Sequence, residues 1–257
     1  MWEQMINNMH YSYRTPPSRK IVIPNPDDFN VASSNNSTAE GGTAGSFSSK
    51  NWSGYVNYSS EQSYDEATSY FVEPSPSVPC SKATEVTWAG LGGYNSHNLA
   101  QNGTGYNAPG LENHQGWWEI LPAGYVSVPE NGSPGYYFEA QTYYAGVISG
   151  KKTFYFYFYD YEEGSWWDEE VTTTNGVDES TADYIVERPK ASGYFRPLAD
   201  YGSTKMQGFT NNKDLAHYPY NVGTMYSGET ELASVAGIPP SSYLFTDTWH
   251  HCGKEEE

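Results

Sequence analysis

With 31 Asp and Glu against 13 Lys and Arg over 257 residues, the chain carries a formal charge of −18 and a pI near 4.6. A surface of that sign has no basic face for phosphates and is repelled by anionic lipid, which argues against nucleic acid and membrane surfaces as partners. No run approaches ~18 apolar residues, so no membrane-spanning helix is expected.

The remaining composition points to β-structure. Aromatic content is 16 %, with 24 Tyr and 8 Trp, and such residues favour pleated, half-buried surfaces. The 25 Gly and 16 Pro imply many turns. Sustained apolar spacing of the helical kind is confined to short pieces. The length allows one large β domain or two small ones. The acidity reads either as plain solubility or as acid tolerance, since few basic residues mean limited positive self-repulsion once carboxylates protonate, and strain at neutral pH. Cys80 and Cys252 have no metal-ligand spacing; they either bridge or remain free thiols, because geometry decides. His250-His251-Cys252 lacks a second ligand group and reads as a tail, so neither a metal nor a cofactor is expected.

Residues 1–50 form a first region. They are polar, rich in Asn, Ser and Gly, and carry Pro16, Pro17, Pro24 and Pro26. Lys20-Ile21-Val22-Ile23-Pro24 could dock as an edge strand, and Ser33–Ser49 reads as a flexible linker. The apolar core of a secretion signal is not visible there. From Asn51 to Glu257 strand-like runs recur, marking the body of the protein. They are Trp52–Tyr58, Ala67–Val72, Thr84–Leu91, Gly116–Leu121, Tyr136–Tyr144, Thr153–Tyr161, Ala182–Glu187, Met206–Thr210 and Leu232–Val235. In the clearest, Phe154, Phe156 and Phe158 should face a core, while Tyr155, Tyr157 and Tyr159 face a wetter surface or groove. Many short strands with little helix predict an all-β sandwich.

Ala182–Glu187 ends on a carboxylate. Alternation puts Asp183, Ile185 and Glu187 on one face, and Pro189 closes the strand because it has no N–H to donate. Taken alone, Glu187 is a solvated strand-end charge paired with Arg188. As an acid/base it needs a partner elsewhere.

Four motifs in order supply one. Asn51-Trp52-Ser53-Gly54 comes first, then Thr87-Trp88-Ala89-Gly90 leading to Gln101-Asn102-Gly103. Trp117-Trp118-Glu119-Ile120-Leu121-Pro122 follows, and Ala182-Asp183-Tyr184-Ile185-Val186-Glu187 is last. Their order and spacing resemble the glutamic peptidases of the eqolisin type over roughly residues 50–209. The resemblance implies two large antiparallel sheets, bent so that a cleft runs over one concave face. It implies Gln101 and Glu187 as the catalytic pair, with Trp52, Trp88, Trp117 and Glu119 as substrate-binding or supporting residues. It further implies polypeptide substrates, a monomeric extracellular enzyme, and a removable leader as one origin of residues 1–50. The chain departs from the fungal pattern at Asp183, Arg188-Pro189, Leu121, Gly92 and Gly105. Without the fungal cysteines it looks more like a bacterial or archaeal branch.

The chemistry fits that pair. Glu187 would take a proton from water and return it to the leaving nitrogen, while the Gln101 amide, a donor at any pH, would hold the oxyanion. A free glutamate titrates at ~4.3, so the base would be available in mild acid. His97 and His114 read as loop histidines, since no nucleophile elbow or reactive-cysteine setting accompanies them. The alternative is a carbohydrate-active sandwich that uses Glu119 and Glu187, or a non-catalytic carbohydrate-binding module. A glycosidase would leave Gln101 remote from the two carboxylates.

Overall fold

The structure is a computed structural model, and it describes residues 44–60, 63–211, 213–236 and 244–256. Most of the N-terminal region, including the Lys20–Pro24 segment and the first part of the expected linker, lies outside the described residues. The strands are β1 (Ala44–Ser49), β2 (Trp52–Tyr58), β3 (Glu66–Val72), β4 (Glu85–Gly92), β5 (Leu99–Tyr106) and β6 (Gln115–Ile120). They continue with β7 (Val126–Asn131), β8 (Tyr137–Ile148), β9 (Lys151–Asp160), β10 (Ser165–Thr173), β11 (Thr181–Glu187) and β12 (Lys190–Ala191). The last are β13 (Tyr194–Phe195), β14 (Ser203–Thr210), β15 (Lys213–Asp214), β16 (Tyr220–Ser227), β17 (Thr230–Ala236) and β18 (Leu244–Trp249). A 3-10 turn, Leu215–His217, is the helical element among the described residues.

Hydrogen bonds link the strands in the order β10-β9-β8-β3-β14-β18-β17-β16-β2-β11-β4-β5-β6-β7. Every neighbour in that order is antiparallel, while β1 joins β16 in parallel. The sheet curls until β3 and β8 lie over β4 and β5, and β10 approaches β7. The result is two layers of one nearly closed sheet.

The core between the layers follows from alternation. Phe154, Phe156 and Phe158 are buried, while Tyr155, Tyr157 and Tyr159 on the other face of β9 are half-buried. Trp118 of β6 stacks on Phe156 at 5.2 Å, and Phe138 stacks on Phe158 at 5.1 Å. Burying each such side chain contributes about 1.5–3 kcal/mol. Cys80 and Cys252, 172 residues apart, are joined by a disulfide that fastens the C-terminal tail to the loop before β4.

One expectation changes. The stretch read as linker ends in a strand, because Ala44–Ser49 pairs along Tyr220–Met225. Its one aromatic residue, Phe47, lies over Gly223, where a Cβ would come within 2.4 Å of the ring, and packs edge-on against Tyr94 at 5.0 Å. A ladder plus one well-seated ring orders a segment whose composition alone promises nothing.

Candidate active site

The outer face of β11, β4, β5 and β6 forms the floor of a cleft of about 800 Å³. Register sets its residues in rows. Asp183, Gly90, Gln101 and Glu119 lie in one, Ile185, Trp88, Gly103 and Trp117 in the next, and Glu187, Val86 and Gly105 in the third. Glycines make this floor possible. A Cβ at Gly103 would stand 2.0 Å from the Thr87 carbonyl oxygen and 2.7 Å from Trp88 Cβ, and one at Gly90 would stand 3.0 Å from the Trp88 ring. Trp88 therefore lies flat across the sheet, fully buried, with Trp52 packed edge-on above it at 5.1 Å.

That indole holds Glu187. Trp88 Nε1 donates to Glu187 Oε2 at 2.9 Å, and Asn51 Nδ2 donates to Glu187 Oε1 at 2.9 Å. Asn51 is oriented in turn, since Ser49 Oγ donates to its Oδ1 at 3.1 Å. Burial pushes the Glu187 carboxyl up to about 7, with the bonds from Asn51, Trp88 and Trp52 to its charged form pulling the other way. The cleft floor thus shifts this half-buried carboxyl upward from the free-glutamate value.

Gln101 and Glu119 form the second half of the site. They are cross-strand partners, and Gln101 Nε2 donates to Glu119 Oε2 at 2.7 Å. Gln101 is 4 % exposed, its Oε1 is buried without a partner, and one N–H of its amide remains uncommitted to Glu119. Burial raises Glu119 to about 7; the Gln101 bond opposes this, and the charge of Glu187 adds to it. Trp117 Nε1 is a further buried, unpaired donor on the cleft wall.

The cleft brings together Gln101, Glu187, Glu119, Trp52 and Trp117, whereas Trp88 lies beneath its surface and acts through Glu187. The simple pairing of Glu187 with Arg188 does not occur. Alternation turns Arg188 to the opposite side, where its buried guanidinium pairs with Glu256 and donates to the Lys50 and Lys254 carbonyl oxygens. Asp183 shares the Glu187 face but is fully buried, and burial holds its carboxyl well above the usual range. His97 lines the cleft, while His114 bonds to buried Glu73 at 2.7 Å. Sequence reasoning quoted Asn51 without giving it work, and missed Ser49. A polar residue just ahead of the Trp52 strand was the available signal for Asn51. Cys252 of the tail cluster is in the disulfide, and among the described residues no group of His, Cys, Asp and Glu is placed to hold a metal ion.

Gln101 lines the same cleft as both carboxylates and is bonded to Glu119, so it is not remote as a glycosidase site would leave it. Comparison with known proteins agrees. The chain is similar in fold to scytalido-glutamic peptidase, solved with a peptide-based transition state analog (TM-score 0.64, 14 % identity, 78 % of this chain and 98 % of that one). It is also similar to SCP-B, an eqolisin family member solved with the tripeptide Ala-Ile-His (0.59, 12 %, 78 % and 98 %). Aspergilloglutamic peptidase from Aspergillus niger gives 0.53 at 14 % identity, over 65 % of this chain and 99 % of that one. No curated protein sequence matches. The model of the Peptidase A4 family matches residues 50–234. The chain therefore belongs to the Peptidase A4 family.

Proposed function

We propose that the protein is an endopeptidase working in weak acid, with Glu187 as the proton-transferring group and Gln101 as the oxyanion donor. The observation that carries this reading is the cleft itself, where a carboxylate gripped by Asn51 and Trp88 shares one sheet face with an amide oriented by Glu119. Ionised Glu187 accepts a proton from water as the water oxygen attacks the peptide carbonyl carbon. The carbonyl electron pair moves onto oxygen, where the free N–H of Gln101 meets it. Glu187 then gives its proton to the amide nitrogen, the C–N bond breaks, and an acid and an amine leave. Glu119 moves no proton in this scheme; it fixes which edge of the Gln101 amide faces the substrate.

Because Glu187 is raised to about 7, the ionised base falls about tenfold for each pH unit below that value. The pH optimum therefore lies well above the ~4.3 of a free glutamate. The Cys80–Cys252 disulfide supports work in an oxidising, extracellular setting. The test is to incubate the protein with an unfolded protein substrate from pH 3 to pH 8 and identify released peptides by mass spectrometry. Internal cleavage that disappears in Glu187→Gln supports the reading; no peptides at any pH overturns it.

A further inference from the structure

Just past Glu187 the chain makes a small hairpin, β12 to β13, whose Lys190, Ser192, Phe195 and Arg196 line the cleft beside the proposed base. The turn at Ser192-Gly193 has positive φ at both residues, 54° and 88°, so the hairpin is tight. It is also pinned from behind. Phe195 exchanges backbone hydrogen bonds with Glu256 at 2.7 and 3.2 Å, and the tail that carries Glu256 is held by the disulfide. The Phe195 ring carries two cation contacts, Arg188 at 5.5 Å and Lys190 Nζ at 4.4 Å. Stacking of this kind holds the Lys190 ammonium at the cleft rather than leaving it to swing in solvent.

The charges here do not cancel. Arg188 is matched by Glu256. Glu255 is shared between Lys82 at 3.0 Å and Arg196 at 2.8 Å, so one carboxylate serves two cations. Arg196 Nε is buried and unpaired, and no carboxylate among the described residues pairs with Lys190. In a chain with 13 basic and 31 acidic residues, the hairpin thus places two cations on the cleft wall, Lys190 and Arg196, and of these only Arg196 has a carboxylate partner among the described residues. Elsewhere the cleft lining is mainly aromatic and aliphatic, with His97, Ser96 and the catalytic-face groups Asn51, Gln101, Glu119 and Glu187 among its polar members.

We propose that the β12–β13 hairpin is a carboxylate-binding subsite, with Lys190 as its contact group, that selects substrates carrying a negative charge on the Glu187 side of the scissile bond. The inference rests on the peptidase reading and adds a substrate preference to it. The carboxylate comes from an Asp or Glu side chain within the substrate or from a substrate's C-terminal end. Both present the same planar anion, and peptides with blocked and free ends distinguish them. An exposed ion pair of this type is worth about three- to fivefold, and more where the bound peptide excludes water from it.

The experiment uses the full chain and end-blocked peptides that differ only by Glu or Gln at successive positions around one cleavable bond. It is run at pH 5.5 and low salt, where the peptide carboxylate is ionised. For the wild-type protein, kcat/KM should favour Glu about three- to fivefold at one position and be indifferent elsewhere. That ratio should fall to about one in Lys190→Met, invert in Lys190→Glu, and flatten for the wild type in ~0.5 M salt. If instead only unblocked peptides gain, the C-terminal carboxylate is the ligand. Equal kcat/KM for every pair in a wild-type protein that cleaves them overturns the subsite and leaves the peptidase reading intact. No cleavage of any peptide overturns the peptidase reading. Equilibrium binding of the same pairs, read by tryptophan fluorescence, then reports on Lys190 alone, and equal Kd for Glu and Gln peptides overturns the subsite as well.

Discussion

Trp88 reaches Glu187 from below the cleft floor, its indole N–H donating at 2.9 Å to a carboxylate whose other oxygen is held by Asn51. Donors to the charged form lower a carboxyl pKa, and a hydrogen bond to a charged group is worth about 1.5–3 kcal/mol. Trp88→Phe keeps an aromatic ring and removes the N–H. The acid limb of the kcat/KM profile should therefore move up by about one pH unit, with activity at pH 5 falling roughly tenfold. A melting curve must show a folded protein, because the smaller ring leaves a void. An unmoved acid limb would show that this bond does not tune Glu187.

Glu187→Gln keeps size and loses the base, so turnover should fall by about 10²–10⁴. Gln101→Ala removes the oxyanion donor and should cost about 10²–10³ in kcat, with much less effect on KM. Both are measured with a quenched-fluorescence peptide. Wild-type turnover in folded Glu187→Gln would assign the base to another carboxylate.

Glu119 is expected to act through Gln101. Glu119→Gln still offers an acceptor oxygen to Gln101 Nε2, so kcat should drop by only about tenfold or less. Glu119→Leu offers none, and leaving that N–H unpaired removes what orients the donor, so the loss should approach that of Gln101→Ala. The pH profile separates this from a proton-transfer role. Orientation alone leaves its shape unchanged in Glu119→Gln, whereas a changed number of limbs would mean that Glu119 exchanges protons during turnover.

Buried carboxyls set the pH dependence of stability. Burial pushes Glu85 to about 8, Glu139 to about 7 and Asp247 to about 7. Unfolded, the same groups titrate near 4. Between those values the folded state binds more protons than the unfolded state, so stability falls as pH rises. It is greatest below about pH 4.5 and is lost progressively up to about pH 8. Tm should be lower at pH 8 than at pH 4.5 by on the order of 10 °C. Calorimetry showing Tm rising across this range would contradict the burial argument. Since Glu187 limits activity from the acid side and the fold weakens from the other, peptidase activity should peak between them.

Gly103→Ala tests the cleft floor. The new methyl group would collide with the Thr87 carbonyl oxygen and with Trp88. Overpacking of this kind costs about 1–3 kcal/mol, so Tm should drop by several degrees. Activity should suffer beyond that, because Trp88 must shift and carries its hydrogen bond to Glu187 with it.

The motif strands were legible because their side chains repeat with a period of two. Trp52–Tyr58 was read with the bounds it has, and Ala182–Glu187 to within one residue. The alternation of Phe154 to Tyr159 located the core face outright. Less visible was β5, which carries Gln101, because Asn102, Gly103, Thr104 and Gly105 look like a turn. Gly103 leaves room for Trp88, and Gly105 for Leu111 and Val86, which are tertiary requirements with no local signature. Strands β10, β16 and β18 mix acidic, Thr or Gly positions into their patterns and were missed for that reason. The pairing of Asn51 with Glu187 spans 136 residues, and only its motif membership pointed to it. The upward movement of Glu187 could not be foreseen either, because it depends on what packs around the carboxylate.

The central place of β11, between β2 and β4, has a consequence for when the protein becomes active. Its grip on the proposed base comes from residues near position 50, its oxyanion donor from near 100, and the neighbour of Arg188 from Glu256. During synthesis the ribosome delivers these parts in that order, and pairings between distant strands are slow to form. A nascent chain that has not yet reached residue 252 has neither the Cys252 link nor the Glu256 contact behind the cleft wall. The wall of the cleft is therefore complete only once strands far apart in sequence have paired and the segment carrying Cys252 and Glu256 has docked behind it.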